Sequence, residues 1–370
     1  MNNNIRRALC ALLVAVAAVA AMQAQRYDAH EVSGFPSAEP GYSLGVSACF
    51  AGRIGDWLVM AGGCNFPVPG NTSDKHYYCG IYAARIDREA LQWRIVGWLP
   101  EPAAYGVTVE SGDSLLLIGG NNLKGSLSTV YSVSLSADGD RAEVHRMADM
   151  PMTVDNMSVA ACDGSVFVVG GNQNGKPGTA VLRLEVDGRQ DWSVLSHMPG
   201  EPRVQPASVA HDGKIYVFGG FYANGGDSKV HTRCLSYDLG TGQWADLPAP
   251  RSPKGEERTL SGGIAAVAGE CAVALGGVNI DIFLDAISGR YAMVDKADYL
   301  KKPIAWYRFN PDLLVFDLKK GQWAKTVSSS PLFARAGAQM VVVDNDIYYI
   351  GGELKPALRT PVIVRIAAKE

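Results

Sequence analysis

The segment Ile215-Tyr-Val-Phe-Gly-Gly220 decides the fold, because its design recurs along the chain. A short apolar run that ends in two glycines is typical of a buried β-strand next to a close backbone approach. The design occurs six times, with glycine pairs beginning at Gly62, Gly119, Gly170, Gly219, Gly276 and Gly351. The pairs are 57, 51, 49, 57 and 75 residues apart, and most of these spacings lie near the roughly 50-residue period of kelch repeats.

Further strands accompany each glycine pair. A turn such as Asp212-Gly213 precedes several of the strands, as a tight hairpin requires. A third strand carries an aromatic residue, and a fourth often contains tryptophan: Tyr82, Tyr131, Tyr237 and Phe316, then Trp93, Trp192, Trp244 and Trp323. Four strands per repeat describe a propeller blade. We therefore predict an all-β fold, a six-bladed kelch-type β-propeller.

The two ends of this propeller are expected to meet in one blade. After the sixth glycine pair, the chain holds only one further apolar strand, Val362 to Ala368. Tyr27 to Pro36 resembles the ends of the fourth strands, so we expect this N-terminal strand to complete the last blade and remove a free sheet edge. Residues 25–370 then form a single domain. The longest spacing contains an insertion at about 285–310, either a short helical excursion over one face or a solvated loop.

Residues 1–24 have the pattern of an export signal. Arg6 and Arg7 precede an uncharged apolar run from Ala8 to Met22, and small residues follow. A membrane anchor is the alternative, but a spanning helix needs about 20 apolar residues. We expect the signal to be cleaved and the protein to be exported to the periplasm.

The composition excludes several functional classes. The chain is 47% hydrophobic and 19% charged, with a net charge of −3, so it has no general attraction to nucleic acid or anionic membranes. The six cysteines beyond the signal form no C-x-x-C pair, which gives zinc or redox chemistry little support. We predict buried thiols, no metal and no cofactor; a Cys64–Cys79 disulfide stays open, and so does the oligomeric state.

Strand parity predicts which residues share one face of the propeller. The segments after the glycine pairs and the connections between blades emerge on the same face, where a central mouth forms a natural pocket. We predict that six residues of this face bind substrate: Arg203, Arg335, Arg258, Asn65, Tyr105 and Asn279. Arginine suits a carboxylate ligand, although the arginines could instead pair with glutamates of the same loops, namely Glu101, Glu201, Glu256 and Glu257.

The last hairpin, Gly351-Gly-Glu-Leu-Lys-Pro-Ala-Leu-Arg-Thr360, holds the candidate catalytic pair. A hairpin brings Glu353 and Arg359 close together, so that a carboxylate and a guanidinium either share a site or form a structural ion pair.

This hairpin resembles the bacterial N-acetylneuraminate epimerases, the sialic acid mutarotases. The family stretch Gly-Glu-x-Lys-Pro-x-Leu-Arg-Thr fits Gly352 to Thr360, and further blades are similar, in a cyclically permuted order. The resemblance implies an exported kelch propeller that interconverts the anomers of a sugar acid, with Glu353 as acid/base and Arg359 assisting. Three departures stand out: Ala357 replaces a glycine, Pro361 replaces an acidic residue, and no arginine precedes Ala104-Tyr105.

Other functions remain open at this stage. Sialidase-type Ser-x-Asp-x-Gly-x-Thr-Trp turns are absent from the sequence. A different sugar-related enzyme is one alternative, and a non-catalytic kelch module that binds a glycan or protein partner is the other.

Overall fold

The computed structural model describes residues 27–68, 72–186, 191–324, 326 and 328–368. The predicted export signal, residues 1–24, lies outside these residues. In the described ranges the protein is mainly β, and its antiparallel sheets are consistent with a propeller.

Six main sheets form from the described residues, and we number them by the chain order of their first strands. Their four principal strands are, in sheet 1, Phe50–Ile54, Trp57–Ala61, Gly80–Arg85 and Arg94–Trp98; in sheet 2, Val107–Ser111, Ser114–Ile118, Val130–Leu135 and Ala142–Arg146; in sheet 3, Ser158–Cys162, Ser165–Val169, Ala180–Glu185 and Trp192–His197; in sheet 4, Val204–His211, Lys214–Tyr222, Cys234–Asp238 and Gln243–Leu247; in sheet 5, Ile264–Ala268, Cys271–Leu275, Asp312–Asp317 and Gln322–Trp323; and in sheet 6, Gln339–Val343, Asp346–Ile350, Ile363–Ala368 and Tyr27–Val32.

Sheet 6 joins the two ends of the described chain. Tyr27–Val32 pairs antiparallel with Ile363–Ala368, from Tyr27 opposite Ala368 to Val32 opposite Ile363. The N-terminal strand therefore occupies the fourth position of this sheet, where the chain's own order supplies three strands. This pairing covers the edge that Ile363–Ala368 would otherwise expose.

Shorter elements extend the sheets or connect them. The remaining short strands are Cys64–Asn65, His76–Tyr77, Asn121–Asn122, Gly125–Ser126, Val154–Asp155, Asn172–Gln173, Lys176–Pro177, Lys229–Val230, Ser328–Ser329, Glu353–Lys355 and Leu358–Arg359. In the described residues, the α-helices are Ile280–Ile287 and Lys296–Tyr299, and the 3₁₀ turns are Tyr42–Leu44, Gly225–Asp227, Ile304–Tyr307 and Pro331–Phe333. Within the described ranges, no helix is both long and apolar enough to cross a membrane.

The hydrophobic core lies between neighbouring sheets. Each consecutive pair of sheets shares one cluster of buried side chains, and a further cluster joins sheet 6 to sheet 1. In that last cluster, Leu58 and Met60 of sheet 1 pack with Val341 and Tyr348 of sheet 6. Burial of such side chains stabilises each contact by about 25 cal/mol per Å² of apolar surface.

A cycle of six backbone hydrogen bonds, which we call the ring, connects the starts of the six sheets. At or just before the first strand of each sheet, one residue donates its amide to the carbonyl of the corresponding residue of the preceding sheet, over 2.7–3.0 Å. All six have a positive φ between 50° and 72°. They are Ala48, Tyr105, Asn156, Gln205, Gly262 and Gly337. Four of them are not glycine, and such strain, about 1–3 kcal/mol each, persists only where the surroundings hold it.

The insertion at about 285–310 contains the end of the helix Ile280–Ile287, the short helix Lys296–Tyr299 and the 3₁₀ turn Ile304–Tyr307, with irregular segments between them. It begins earlier than expected, at the helix Ile280–Ile287, whose first turn is capped by the side chain of Asn279. It packs against the last hairpin, because Lys355 Nζ donates to the carbonyls of Leu300 and Lys302 over 2.9 and 2.7 Å.

Candidate active site

Glu353 pairs with the residue that directly precedes a ring residue. Its amide and carbonyl both pair with Ala336, over 2.7 and 2.9 Å, and Ala336 directly precedes Gly337 of the ring. Gly352 permits this close approach: its φ is +102°, and a Cβ there would lie 2.8 Å from the Cβ of Ala338. The glycine pair of the repeat thus brings the next side chain to the ring.

The hairpin places Arg359 directly opposite Glu353. The two residues are register partners, and an Arg359 Nη1–Glu353 Oε2 ion pair joins them. The turn between the two strands holds Ala357 at a φ of 68°, in the left-handed region where the family resemblance places glycine. The predicted proximity of the carboxylate and the guanidinium is thus present.

Ala357→Gly is expected to alter stability only slightly. Glycine removes a left-handed penalty of about 1–2 kcal/mol but adds about 0.5–1 kcal/mol of chain entropy cost. Chemical denaturation should therefore show a free energy of unfolding equal to that of the parent protein or higher by up to about 1.5 kcal/mol. A clear loss of stability would contradict this view of the turn.

Arg359 is held on several sides. Its Nε donates to Ser47 Oγ over 2.8 Å, its guanidinium lies 5.1 Å from the Phe66 ring centroid, and its side chain is 4% exposed. Although burial alone lowers the pKa of Arg359, its acidic neighbours, Glu353 foremost, shift this pKa upward on balance. Arg359 therefore remains a fixed positive charge.

The Glu353 carboxylate combines burial with access. Burial raises its pKa above the usual value, while Arg359, Lys75 and the backbone amide of Ala357 oppose that rise. Its side chain keeps 22% exposure, so a ligand can reach it. A carboxylate whose pKa is moved toward neutrality is suited to general acid–base catalysis.

Lys75 is the second cation of the site. Its Nζ donates to the hydroxyl of Tyr105, a ring residue, over 3.1 Å, and lies 4.3 Å from the centroid of that tyrosine and 5.1 Å from that of Tyr77. Burial lowers the pKa of Lys75, and Arg359 adds to this, while Glu353 and Asp155 act in the opposite direction.

An amide network occupies the part of the ring that belongs to sheets 3 and 4. Buried Asp155 accepts hydrogen bonds from Asn156 Nδ2 (2.5 Å), Asn172 Nδ2 (2.8 Å) and the Ser126 hydroxyl. Gln205 Nε2 in turn donates to Asn156 Oδ1 over 2.7 Å. This network fixes the amide orientations of two ring residues.

A cavity of about 370 Å³ begins at the ring, and the first strands of all six sheets line it. Tyr105, Asn156 and Gln205 belong to its wall. In the described part of the chain, no cluster of three or more metal-ligating side chains occurs. The described cysteines beyond the signal, Cys64 and Cys79 among them, are free thiols.

Two of the predicted substrate-binding arginines lie inside the protein. Arg203 Nη1 donates to the carbonyls of Gly219 and Arg233 over 2.6 and 3.0 Å. Arg335 Nη1 donates likewise to Gly351 and Val362, over 2.9 and 2.8 Å. Their exposed fractions are 5% and 1%. Both guanidinium groups fix the backbone near the glycine pairs, so their prediction as ligand groups finds no support in this geometry.

Three further predicted binders also have structural partners. Arg258 contacts Asp312 and Glu256, the latter one of the loop glutamates considered as an alternative. Asn65 is buried; its Nδ2 donates to the carbonyls of Gly41 and Gly45, and its Oδ1 accepts from Tyr78. Asn279 caps a helix, as described above. Of the six predicted residues, Tyr105 is the one that the structure brings to the ring beside the Glu353–Arg359 pair.

Arg203→Met distinguishes a structural arginine from a ligand-binding one. The substitution leaves the buried carbonyl of Gly219 and the partly buried carbonyl of Arg233 without this donor, so we expect the free energy of unfolding to fall by roughly 2–4 kcal/mol. Affinity of the folded protein for a sugar acid should stay within about twofold. Denaturation curves and ligand titrations measure both quantities; weaker binding at unchanged stability would restore the ligand role.

Comparison with known proteins gives the family. A family model described as N-acetylneuraminate epimerase matches residues 147–370. N-acetylneuraminate epimerases of Yersinia pestis (strain Pestoides F) and Yersinia enterocolitica are 32% and 33% identical, over 64% and 60% of this chain and 61% and 57% of their own. One of Escherichia coli O9:H4 (strain HS) is 34% identical over 52% of this chain and 53% of its own.

The aligned part of the chain spans about three-fifths of the length of the Yersinia pestis relative. The family match includes the whole hairpin from Glu353 to Arg359. Because that match covers more than half of the sequence, this chain belongs to the N-acetylneuraminate epimerase family.

Proposed function

We propose that this protein is an exported sugar-acid mutarotase, which interconverts the α and β anomers of N-acetylneuraminate, on a closed six-bladed kelch-type β-propeller. The observation that carries the proposal is the pair of Glu353 and Arg359. Glu353 is partly exposed, has a raised pKa and hydrogen-bonds to the neighbour of a ring residue, and the buried Arg359 forms an ion pair with it. The cycle of six hydrogen bonds and the pairing of Tyr27–Val32 with Ile363–Ala368 support the propeller.

The chemistry requires one carboxylate. Ionised Glu353 takes the proton of the anomeric hydroxyl, and the bond between the anomeric carbon and the ring oxygen breaks as that oxygen receives a proton. The open-chain ketone then rotates about the bond to its neighbouring carbon and recloses on the other face. Both exchanging oxygens sit on one carbon, about as far apart as the two oxygens of a carboxylate, so Glu353 can take the hydroxyl proton and, once protonated, donate it to the ring oxygen.

Arg359 supports this cycle by favouring the ionised form of Glu353 that takes the first proton. Its positive charge opposes the rise in the Glu353 pKa that burial causes. Fixed charges of this kind act strongly in a partly buried site and need no reorganisation during the reaction. No oxidation and no leaving group is involved, so this proton shuttle is the complete catalytic requirement.

An anomer assay tests the proposal. α-N-acetylneuraminate is released from a glycoside, and NMR follows its approach to the β anomer with and without catalytic amounts of protein. We expect the protein to accelerate that approach well beyond the buffer rate. Unchanged rates, together with specific binding of the sugar, would favour a non-catalytic glycan-binding module; unchanged rates without binding would favour a module for a protein partner.

A further inference from the structure

The site contains two cations, and they are not equivalent. Arg359 is already engaged by Glu353 and Ser47 and lies beside the Phe66 ring. A substrate carboxylate that bound Arg359 would have to compete with Glu353, the group that must stay ionised for the reaction. A second cation is therefore better placed to receive the negative charge of a sugar acid.

Lys75 meets that requirement. Within the described residues, its ammonium has one hydrogen bond, to Tyr105, whereas a lysine ammonium carries three donors. The ammonium packs against the aromatic side chains of Tyr105 and Tyr77. Tyr105 belongs to the ring of backbone hydrogen bonds, so Lys75 lies beside it. The negative charges of Glu353 and Asp155 both act on the Lys75 ammonium.

We propose that Lys75 binds the substrate carboxylate and makes the site selective for sugar acids over uncharged sugars. This inference rests on the proposed mutarotase function and adds to it the residue that recognises the charge. Arg359 then stabilises the ionised Glu353 carboxylate, and Lys75 binds the carboxylate of the substrate. The rigid tyrosine rings lower the entropy that the long lysine side chain would lose on binding.

The test compares N-acetylneuraminate with its methyl ester, which keeps the anomeric centre but lacks the charge. Wild-type protein should bind the acid more tightly than the ester, by about 10- to 100-fold. Lys75→Met should remove this preference by weakening binding of the acid alone, and Lys75→Arg should restore much of it. Lys229→Met removes a lysine that is paired with Glu201 elsewhere and should retain the preference.

Rates and affinities are both measured, so that the two proposals fail separately. A wild-type protein that prefers the acid in binding without accelerating anomer exchange would refute the mutarotase, while the Lys75 variants would still test charge recognition. Retention of the preference by folded Lys75→Met would overturn the role of Lys75, and so would its loss in Arg359→Met. Equal wild-type affinity for acid and ester would also overturn it.

Discussion

Glu353→Gln is expected to lower the rate of catalysed anomer exchange by about 10²–10⁴-fold, the usual contribution of a positioned acid/base. Glutamine has nearly the same shape as glutamate but cannot accept and return a proton at neutral pH. The remaining groups of the site still bind the sugar, so the dissociation constant should change far less than the rate. Single-turnover measurements of α-anomer loss separate the two effects.

Folding provides the control for this variant. The amide oxygen of the introduced glutamine can still accept a hydrogen bond from Arg359, so circular dichroism and the melting temperature should stay close to those of the parent. A well-folded Glu353→Gln protein with full activity would show that another group moves the proton.

Arg359→Met is expected to have the second largest effect, a fall of about 10²–10³-fold at neutral pH. The substitution removes the charge that stabilises the ionised Glu353 carboxylate. Methionine fills a comparable volume against Phe66, so packing is largely retained. Arg251→Met is the matched control, because Arg251 is an exposed arginine paired with Glu257; it should leave the rate unchanged.

The pH profile of Arg359→Met identifies the cause. Glu353 must be ionised to accept a proton, so activity falls as the pH drops through its folded-state pKa, which burial already raises. Without Arg359 that pKa rises further, and the acid limb of the rate profile should move up by about 1–3 pH units. A lower rate with an unmoved acid limb would mean that Arg359 acts on the substrate rather than on Glu353.

The same shift affects stability in a defined direction. A carboxyl group with a raised folded-state pKa favours the folded protein below its unfolded-state value, and this contribution is lost as the pH rises through the folded value. Because Arg359→Met raises the Glu353 pKa further, this contribution to stability is larger at low pH and is lost over a pH range that extends to higher values. Its free energy of unfolding should therefore decline toward neutral pH more steeply than that of the parent protein.

Much of the strand pattern was predictable from the sequence, because glycine pairs and apolar runs follow local rules. The same rules identified Tyr27–Val32 as a strand that pairs with the chain's last strand. The Glu353–Arg359 pair was also accessible, since a hairpin of that length brings residues six positions apart into contact. The family match is consistent with the motif on which the resemblance rested.

The directions of the arginine side chains were not predictable in this way. Strand parity places Arg203 and Arg335 near the correct face, but it does not show whether a side chain points to solvent or into the backbone. Both precede positions where a sheet begins, and the nearby carbonyls at Gly219 and Gly351 attract their donors. The sequence offered one signal for a structural role: the two arginines occupy equivalent positions in their repeats.

Lys75 and Asp155 escaped prediction for a different reason. Lys75 lies in a connection without regular periodicity, directly before the two-residue strand His76–Tyr77. Its position depends on Tyr105, a residue of another sheet. Asp155 accepts hydrogen bonds from Ser126 and Asn172, which lie 29 and 17 residues away and meet it only in the folded protein. Such long-range contacts leave no pattern in a single sequence.

Saturation transfer between the NMR signals of the α and β anomers at equilibrium tests the central claim most directly, because it reports exchange without any coupled enzyme. With catalytic amounts of the wild-type protein, irradiation of one anomer of N-acetylneuraminate should attenuate the other, and Glu353→Gln should abolish this transfer. Absence of transfer with folded wild-type protein, or equal transfer with both proteins, would contradict an active centre at Glu353.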